Sequence, residues 1–562
     1  MAGCSTVGED QVQVTRTLLS LCAAVWLLSM GLVTTTAAPQ TGPQAGARVT
    51  QPVALFEPSS ACVACHNQLT TSSGEDISIG SNWGATMMAN AARDPYWQAG
   101  VRREITDHPT ARAAIEDECS ICHMPMARTQ AKADGREGEI FAHLPVVSRT
   151  SPLDVLAHDG VSCTACHQIT AEKLGTPESF TGGFVINTAP TGGPRPIFGP
   201  FEIDKGRTTI MRSAAAFQPT QGMHVRQSEL CATCHTLITQ ALGPGGAPIG
   251  RLPEQMPFAE WQHSAFREEK SCQACHMPVV QEDTPAASVL GEPRAGVSRH
   301  TFVGGNFFML RMLNRYRAEL GVAAPSQELD AAARRTVEYL QSQTASVSIE
   351  RAELSGAQLA IDVAVRNLTG HKLPTGYPSR RVWLHLTVRD RTGTTVFESG
   401  GLAPSGSIQG NDNDADQGRV EPHYTQISRP DEVQIYEAVM GDTSGNPTTG
   451  LLSAVRFLKD NRLLPRGFDK ATAVPDIAVV GPASQDADFS GDGDRIRYLV
   501  GAAAGAGPFQ IDVELRFQPI AFRWAENLKS YASPEPQRFV GYYESMSASS
   551  GVTLARTSAS AR

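Results

Sequence analysis

Five short stretches of this chain end in the same way: CVACH (62–66), CSICH (119–123), CTACH (163–167), CATCH (231–235) and CQACH (272–276). They hold ten of the twelve cysteines; the other two, Cys4 and Cys22, lie near the N-terminus. On one helical turn, residues i, i+3 and i+4 share a face. The pairs Cys62/Cys65, Cys119/Cys122, Cys163/Cys166, Cys231/Cys234 and Cys272/Cys275 can therefore form thioethers with the vinyl groups of a porphyrin. His66, His123, His167, His235 and His276 then each reach an iron as axial ligand. Zinc sites would combine C-x-x-C units in twos and need no histidine after each. A redox dithiol usually occurs once, beside a βαβ pattern, and a disulfide framework has no use for an identical trailing histidine. The pattern predicts five covalent c-type haems, and a fold in which porphyrin supplies much of the buried apolar surface.

The remaining sequence sets the organisation. A chain of 562 residues exceeds what one core usually serves, so two or three domains are expected. Arg16 precedes an apolar run over 17–33, and the small residues TTTAAPQ follow. Residues 1–38 read as a secretory signal cut near Ala37 or Ala38, or else as an N-terminal anchor. A linker is expected over 39–52 and a loop-rich, mostly helical pentahaem domain over 53–322. Apolar residues at three- and four-residue intervals predict helices at 306–322 and 326–345, so 323–345 reads as a connecting helix. Alternating segments such as QLAIDVAVRNL and FQIDVELRFQPI, punctuated by turn residues, predict a β-sandwich-like domain over 346–525 and a C-terminal tail over 526–562. The fold class is α+β. A net charge of −9 without a basic stripe argues against a nucleic-acid partner.

Several blocks besides C-x-x-C-H carry a family likeness: HDGVSCTACH (158–167), EWQHSAFREEKSCQACHMP (260–278), HTFVGGNFFMLRML (300–313) and GHKLPTGYPSRRVWL (370–384). Over about residues 60 to 390 the chain resembles periplasmic or extracellular multihaem c-type cytochromes. It is similar to the tetrahaem cytochromes that accept electrons from hydroxylamine oxidoreductase. The resemblance implies that His158 serves a neighbouring haem as distal ligand. His224, a few residues upstream of its motif, is placed to do the same. His300, before a helix, and His371, in a stiff Gly/Pro loop, are further distal candidates. Related cytochromes carry Ser-Met-His-Ala where this chain has TMMANA (86–91), so Met88 stands in the place of a distal histidine. Ligation by Met88 would raise one haem's potential; packing of Met87 and Met88 on a porphyrin face is the alternative. His108, His143 and His263 are additional candidates, whereas His385 reads as a core or interface residue and His423 as a loop residue.

The oxygen-rich segments NDNDADQG (411–418) and DADFSGDGD (486–494) could bind Ca2+, without matching the EF-hand spacing. Arg380 and Arg381 are candidates to pair with haem propionates. The expected function is electron transfer through five haems in the cell envelope, in respiration, between redox protein partners and with peripheral docking to a membrane redox complex. The β-rich segment is a candidate docking module. The alternative is a multihaem reductase or oxidase of a small nitrogen or sulfur compound at one open haem. No lysine replaces a motif histidine and no cysteine is spare to ligate iron, which removes two marks of such enzymes without excluding others.

Overall fold

The structure, a computed structural model, describes residues 54–562 apart from 149, 190–192 and 504. The expected signal at 1–38 and linker at 39–52 lie outside the described residues. Helix α1 (Pro95–Asp107) starts where the sequence provides a stop and a start together. Asp94 accepts from the amides of Tyr96 and Trp97, and Pro95 fills the first turn. Such a cap contributes about 1 kcal/mol. It also fixes the direction in which Tyr96, Trp97 and Glu104 leave the helix. Helix α2 (Arg112–His123) carries the second motif at its C-terminal end. The other motifs start on helices Ser60–Val63, Cys163–Cys166, Ser228–His235 and Cys272–His276, most of them about one turn long, with Cys65, His66 and His167 following their helix ends. Turns this short have little stability of their own, and the side-chain core around them is small, built from Leu55, Val101, Ile105, Ile115, Met124 and Met126.

Helix α3 (Phe307–Arg315) is shorter than the 306–322 expected, because its apolar positions crowd into the first two turns. It buries Phe307, Phe308, Met309, Leu310, Met312 and Leu313 in the main core. Helix α4 (Ser326–Gln343) stops one residue before strand β1 (Ala345–Ser355) begins. Strands β2 (Gln358–Asn367), β3 (Arg381–Arg389), β4 (Ile435–Gly441), β5 (Asp494–Gly501) and β6 (Phe509–Gln518) follow. Helix α5 (Pro534–Met546) and strand β7 (Val552–Ala561) end the chain.

One sheet runs β1-β2-β5 and is closed by a short strand at Gln426–Ile427. The other runs β4-β3-β6-β7, with short strands Thr395–Ser399 on β3 and Arg456–Asp460 on β4. Alternate residues face inward. Leu359, Ile361 and Val363 of β2 join Leu384, Leu386 and Ile511 of the opposite sheet in one core, which is the arrangement of a two-sheet sandwich.

Residues 526–562 are not a tail. They supply α5 and an edge strand, β7, paired antiparallel with β6 from Phe509↔Ala561 to Phe517↔Val552. The small and polar residues of β7 suit a strand with one face in water and leave little apolar alternation to read. The motif-bearing half and the sandwich were expected as successive domains, yet Val53–Arg562 forms one compact unit. Glu104 of α1 accepts from the amides of Leu451 and Leu452, and Arg102 pairs with Glu535 of α5 at 2.7 Å. Glu260, fully buried, accepts from the Lys372 amide at 3.1 Å and the Thr375 hydroxyl at 2.5 Å, and pairs with Arg462 at 2.9 Å. Among the described residues no helix is long and apolar enough to cross a membrane.

Candidate functional site

All five motifs converge on one cavity of about 1300 Å3. Every motif histidine lines it, as does every motif cysteine except Cys65. All ten cysteines are free thiols, half-buried. Thiols from different motifs touch: Cys62 meets Cys163, Cys122 meets Cys234, and Cys231 meets Cys272. Cys166 also lies close enough to Cys234 to feel its charge. The fourth motif therefore borders the second, third and fifth, and the first borders the third. Much of the remaining wall is apolar, with Trp83, Ile197, Phe198, Phe258 and Met309 on it.

The histidines divide by which ring nitrogen is tied down. A carbonyl oxygen can only accept, so the nitrogen facing it carries the proton and the other keeps its lone pair. Nδ1 of His66 donates to the carbonyl of Ala286 at 2.7 Å, that of His123 to Ala91 at 3.1 Å, that of His167 to Phe198 at 2.6 Å, and that of His276 to Val303 at 2.5 Å. Each of these leaves Nε2 bare. Carbonyl-bonded imidazoles of this kind are the usual metal ligands, oriented from behind. His235 makes no such bond among the described hydrogen bonds. Burial, assisted by His276 and Arg380, pushes its pKa down to about 4, so it too is neutral. Burial likewise pushes His123 down to about 4.

Of the distal candidates, His300 and His371 share this pattern. Nδ1 of His300 donates to Ser298 at 3.1 Å and that of His371 to Lys372 at 2.9 Å. Both rings line the cavity, and burial pushes both pKa values down to about 4. Each also faces a motif histidine. His300 and His167 have centroids 6.4 Å apart at 24°, and His371 and His276 have centroids 6.3 Å apart at 12°. A metal–imidazole bond is about 2 Å and a ring centroid sits roughly 1 Å behind its nitrogen, so two rings sharing one ion stand about 6 Å apart. Both pairs have the spacing for an iron between them.

His158 and His224 are not brought to the cavity. Their Nε2 atoms donate instead, to the carbonyls of His143 at 2.6 Å and Ile169 at 2.9 Å, which takes up the nitrogen a ligand would offer. His263 spends Nε2 on Asp469, and His143 spends Nδ1 on Asp154. His385 bonds Glu398 on the outer face of β3 and His108 lies 3.5 Å from the Ser453 hydroxyl. Met88 is half-buried on the cavity wall, and Met87 packs on the main core.

The two arginines part company. Arg380 lines the cavity, donating to Thr375 O and Asn306 Oδ1. Arg381 is not available to a propionate, because it is buried in a two-pronged pair with Asp414, both bonds 2.9 Å. That pair also answers for the 411–418 segment as a calcium site. Asp414 is neutralised by Arg381 and Asp412 by Arg419 at 2.6 Å, so little acceptor charge is left for an ion.

The sequence gives no sign of the carbonyls of Ala91, Ala286, Phe198 and Val303, because a main-chain acceptor carries no side-chain signature. Trp97, stacked on His123 at 4.3 Å and 4°, is another such partner. A polar patch shares the wall. Tyr96 and Tyr377 meet edge to face at 6.0 Å. Glu254, near Cys119, is pushed up to about 7 by burial against the pull of Thr239 and Gln255.

The fold is similar to that of a penta-haem cytochrome c552 from Thermochromatium tepidum, with a TM-score of 0.52, 17% identical residues, and coverage of 91% of this chain and 100% of that one. No protein-family model matches the chain, and neither does any curated protein.

Proposed function

We propose that this protein is a multihaem c-type cytochrome that carries electrons in the cell envelope, in the periplasm or outside the cell, between redox protein partners. When bound, haem c supplies reversible one-electron chemistry at iron. Everything else falls to the chain. The ten motif cysteines would hold five porphyrins in one continuous space, His66, His123, His167, His235 and His276 would ligate from one side, and His300 and His371 would close two of the sites from the other. The imidazoles of His123, His235, His300 and His371, pushed down to about 4, need no proton loss before binding metal, and the carbonyls behind His66, His123, His167, His276, His300 and His371 hold those rings in place. The observation that carries this reading is the pairing of His167 with His300 and of His276 with His371 at 6.4 and 6.3 Å. Arg380 is the candidate propionate partner. The test is the intact mass of the exported, denatured protein: five added macrocycles resistant to acid–organic extraction are expected. Pigment that extracts, or a mass lacking them, would refute the proposal.

A second reading is favoured by the patch beside the second motif. Glu254 with its raised pKa, Tyr96 and Tyr377 could supply protons near His123, where the ring partner among the described contacts is Trp97 rather than another imidazole. This would make the protein a reductase or oxidase of a small nitrogen or sulfur compound. A high-spin ferric component that binds nitrite, hydroxylamine or cyanide supports it; a wholly low-spin spectrum removes it.

A further inference from the structure

Far along the chain from the motifs, the segment DADFSGDGD (486–494) folds back against His423 and the start of β5. Ligand atoms of His423, Asp486 and Asp494 lie within 4.8 Å of one another. The tautomer of His423 decides what could bind. Its Nδ1 accepts from Gln434 Nε2 at 2.9 Å and from Asn461 Nδ2 at 3.1 Å. Neither amide can be turned around. Asn461 Nδ2 also donates to the Ile435 carbonyl and its Oδ1 accepts from the Glu437 amide. Gln434 Oε1 accepts from the Tyr424 amide. The imidazole proton is therefore on Nε2, which donates to Asp486 Oδ2 at 3.0 Å. His423 has no lone pair to give a metal, and its role is to orient a carboxylate.

What is left is oxygen. Asp494 is 1% exposed. Its Oδ2 accepts from Tyr436 at 2.7 Å and Gln434 at 3.1 Å, but its Oδ1 is buried without a partner among the described residues. The Tyr498 hydroxyl, on the same face of β5 four residues on, is buried and equally unpartnered. Asp488 hydrogen-bonds Asp486, and both act on Asp494 through space. Burial and this crowding push Asp488 up to about 6 and Asp494 up to about 7. Of the cations that act on this cluster, Lys470 donates to the main-chain carbonyls of Asp486 and Ala483, Arg495 pairs with Glu350 at 2.9 Å and Lys459 with Glu437 at 3.1 Å. A buried carboxylate oxygen left unmatched costs several times the worth of an ordinary hydrogen bond.

We propose that Asp486, Asp488 and Asp494 bind a hard divalent cation of the size of Ca2+ through oxygen alone, with His423 as the hydrogen-bonding support of Asp486. The ion pins the 486–494 loop to the start of β5. An oxygen-only set in a flexible loop suits Ca2+, whereas Zn2+ prefers nitrogen or sulfur and Mg2+ demands tighter octahedral geometry. The site is independent of the haem assignment.

The test is calorimetric titration of the full-length, haem-loaded protein, stripped with chelator, using CaCl2, MgCl2 and ZnCl2 in turn. One Ca2+ per chain is expected, with a rise in the thermal midpoint. Asp494→Asn and the exposed-site variant Asp488→Asn should each weaken binding at least tenfold without altering the haem absorption spectrum. Absence of both Ca2+ heat and a thermal shift at millimolar CaCl2 would overturn the proposal. So would tight Zn2+ binding abolished by His423→Ala, or Ca2+ binding unchanged in Asp488→Asn.

Discussion

At the scale of single residues, a histidine's meaning lies in which nitrogen is occupied. His300 and His371 donate through Nδ1 and line the cavity, and His158 and His224 donate through Nε2 and lie outside it. His300→Ala and His371→Ala should each convert one low-spin haem to a high-spin or water-ligated form, seen as a new ferric charge-transfer band or high-spin resonance. His224→Ala should leave the spin state of every haem unchanged. A high-spin signal in His224→Ala, or none in the other two, would reverse the assignment. Spacing alone picked out the motif residues that, Cys65 aside, the fold gathers on one cavity, because two cysteines and a histidine on one turn share a face. The distal half was legible only as a pool of candidates. Position in the chain does not distinguish His158 from His300: folding brings the His143 carbonyl onto Nε2 of His158, whereas His300 bonds the nearby Ser298 carbonyl through Nδ1.

At the scale of elements, the strong periodicities were readable and the weak ones were not. Helix α4 and strands β2 and β6 follow their apolar patterns closely. Strand β7, with the sequence VTLARTSASA, does not display its role, yet it pairs along almost the whole of β6. Truncation after residue 551 would strip that pairing and leave β6 as an exposed, apolar edge. The expected result is loss of soluble protein or a thermal midpoint lowered by many degrees. A truncated chain melting like the full one would show β7 to be dispensable. The buried network below β3 is sharper still. Lys372 and Asp460 are 0% and 3% exposed at their side chains and 2.8 Å apart, with Arg462 on the same carboxylate at 2.7 Å. Burial works to raise the pKa of Asp460, but Arg462 and Lys372 outweigh it and hold the group below the ordinary carboxylate range. A folded pKa below the unfolded value of about 3.9 means stability that is present at neutral pH and lost as pH falls below about 4 through the folded value. Asp460→Asn leaves Lys372 buried without its counter-charge, at an expected cost of about 3–5 kcal/mol in urea unfolding at pH 7. The difference from the parent protein should shrink as pH is lowered. A variant as stable as the parent at pH 7 would refute this account.

Across the whole molecule, the contacts between thiols set an order that linear spacing conceals. The second motif follows the first in sequence, yet Cys62 meets Cys163 of the third, and Cys122 meets Cys234 of the fourth. Cys231 meets Cys272 of the fifth, and Cys166 stands near Cys234. The chain thus places its fourth motif at a junction, with the first and third on one side and the second and fifth on two others. Electron tunnelling falls steeply with separation, so under the proposed function the shortest passages would cross that junction. Replacing Cys231 and Cys234 by alanine should leave four covalent haems by mass, with His300 and His371 still closing the third and fifth sites. Rapid reduction of the parent protein should fill all haems as one communicating set. The variant should split into separate phases, with the haems of the first and third motifs equilibrating together and those of the second and fifth equilibrating slowly with them. A variant holding four haems that still fills in one phase would mean that electrons take a path these thiol contacts do not trace.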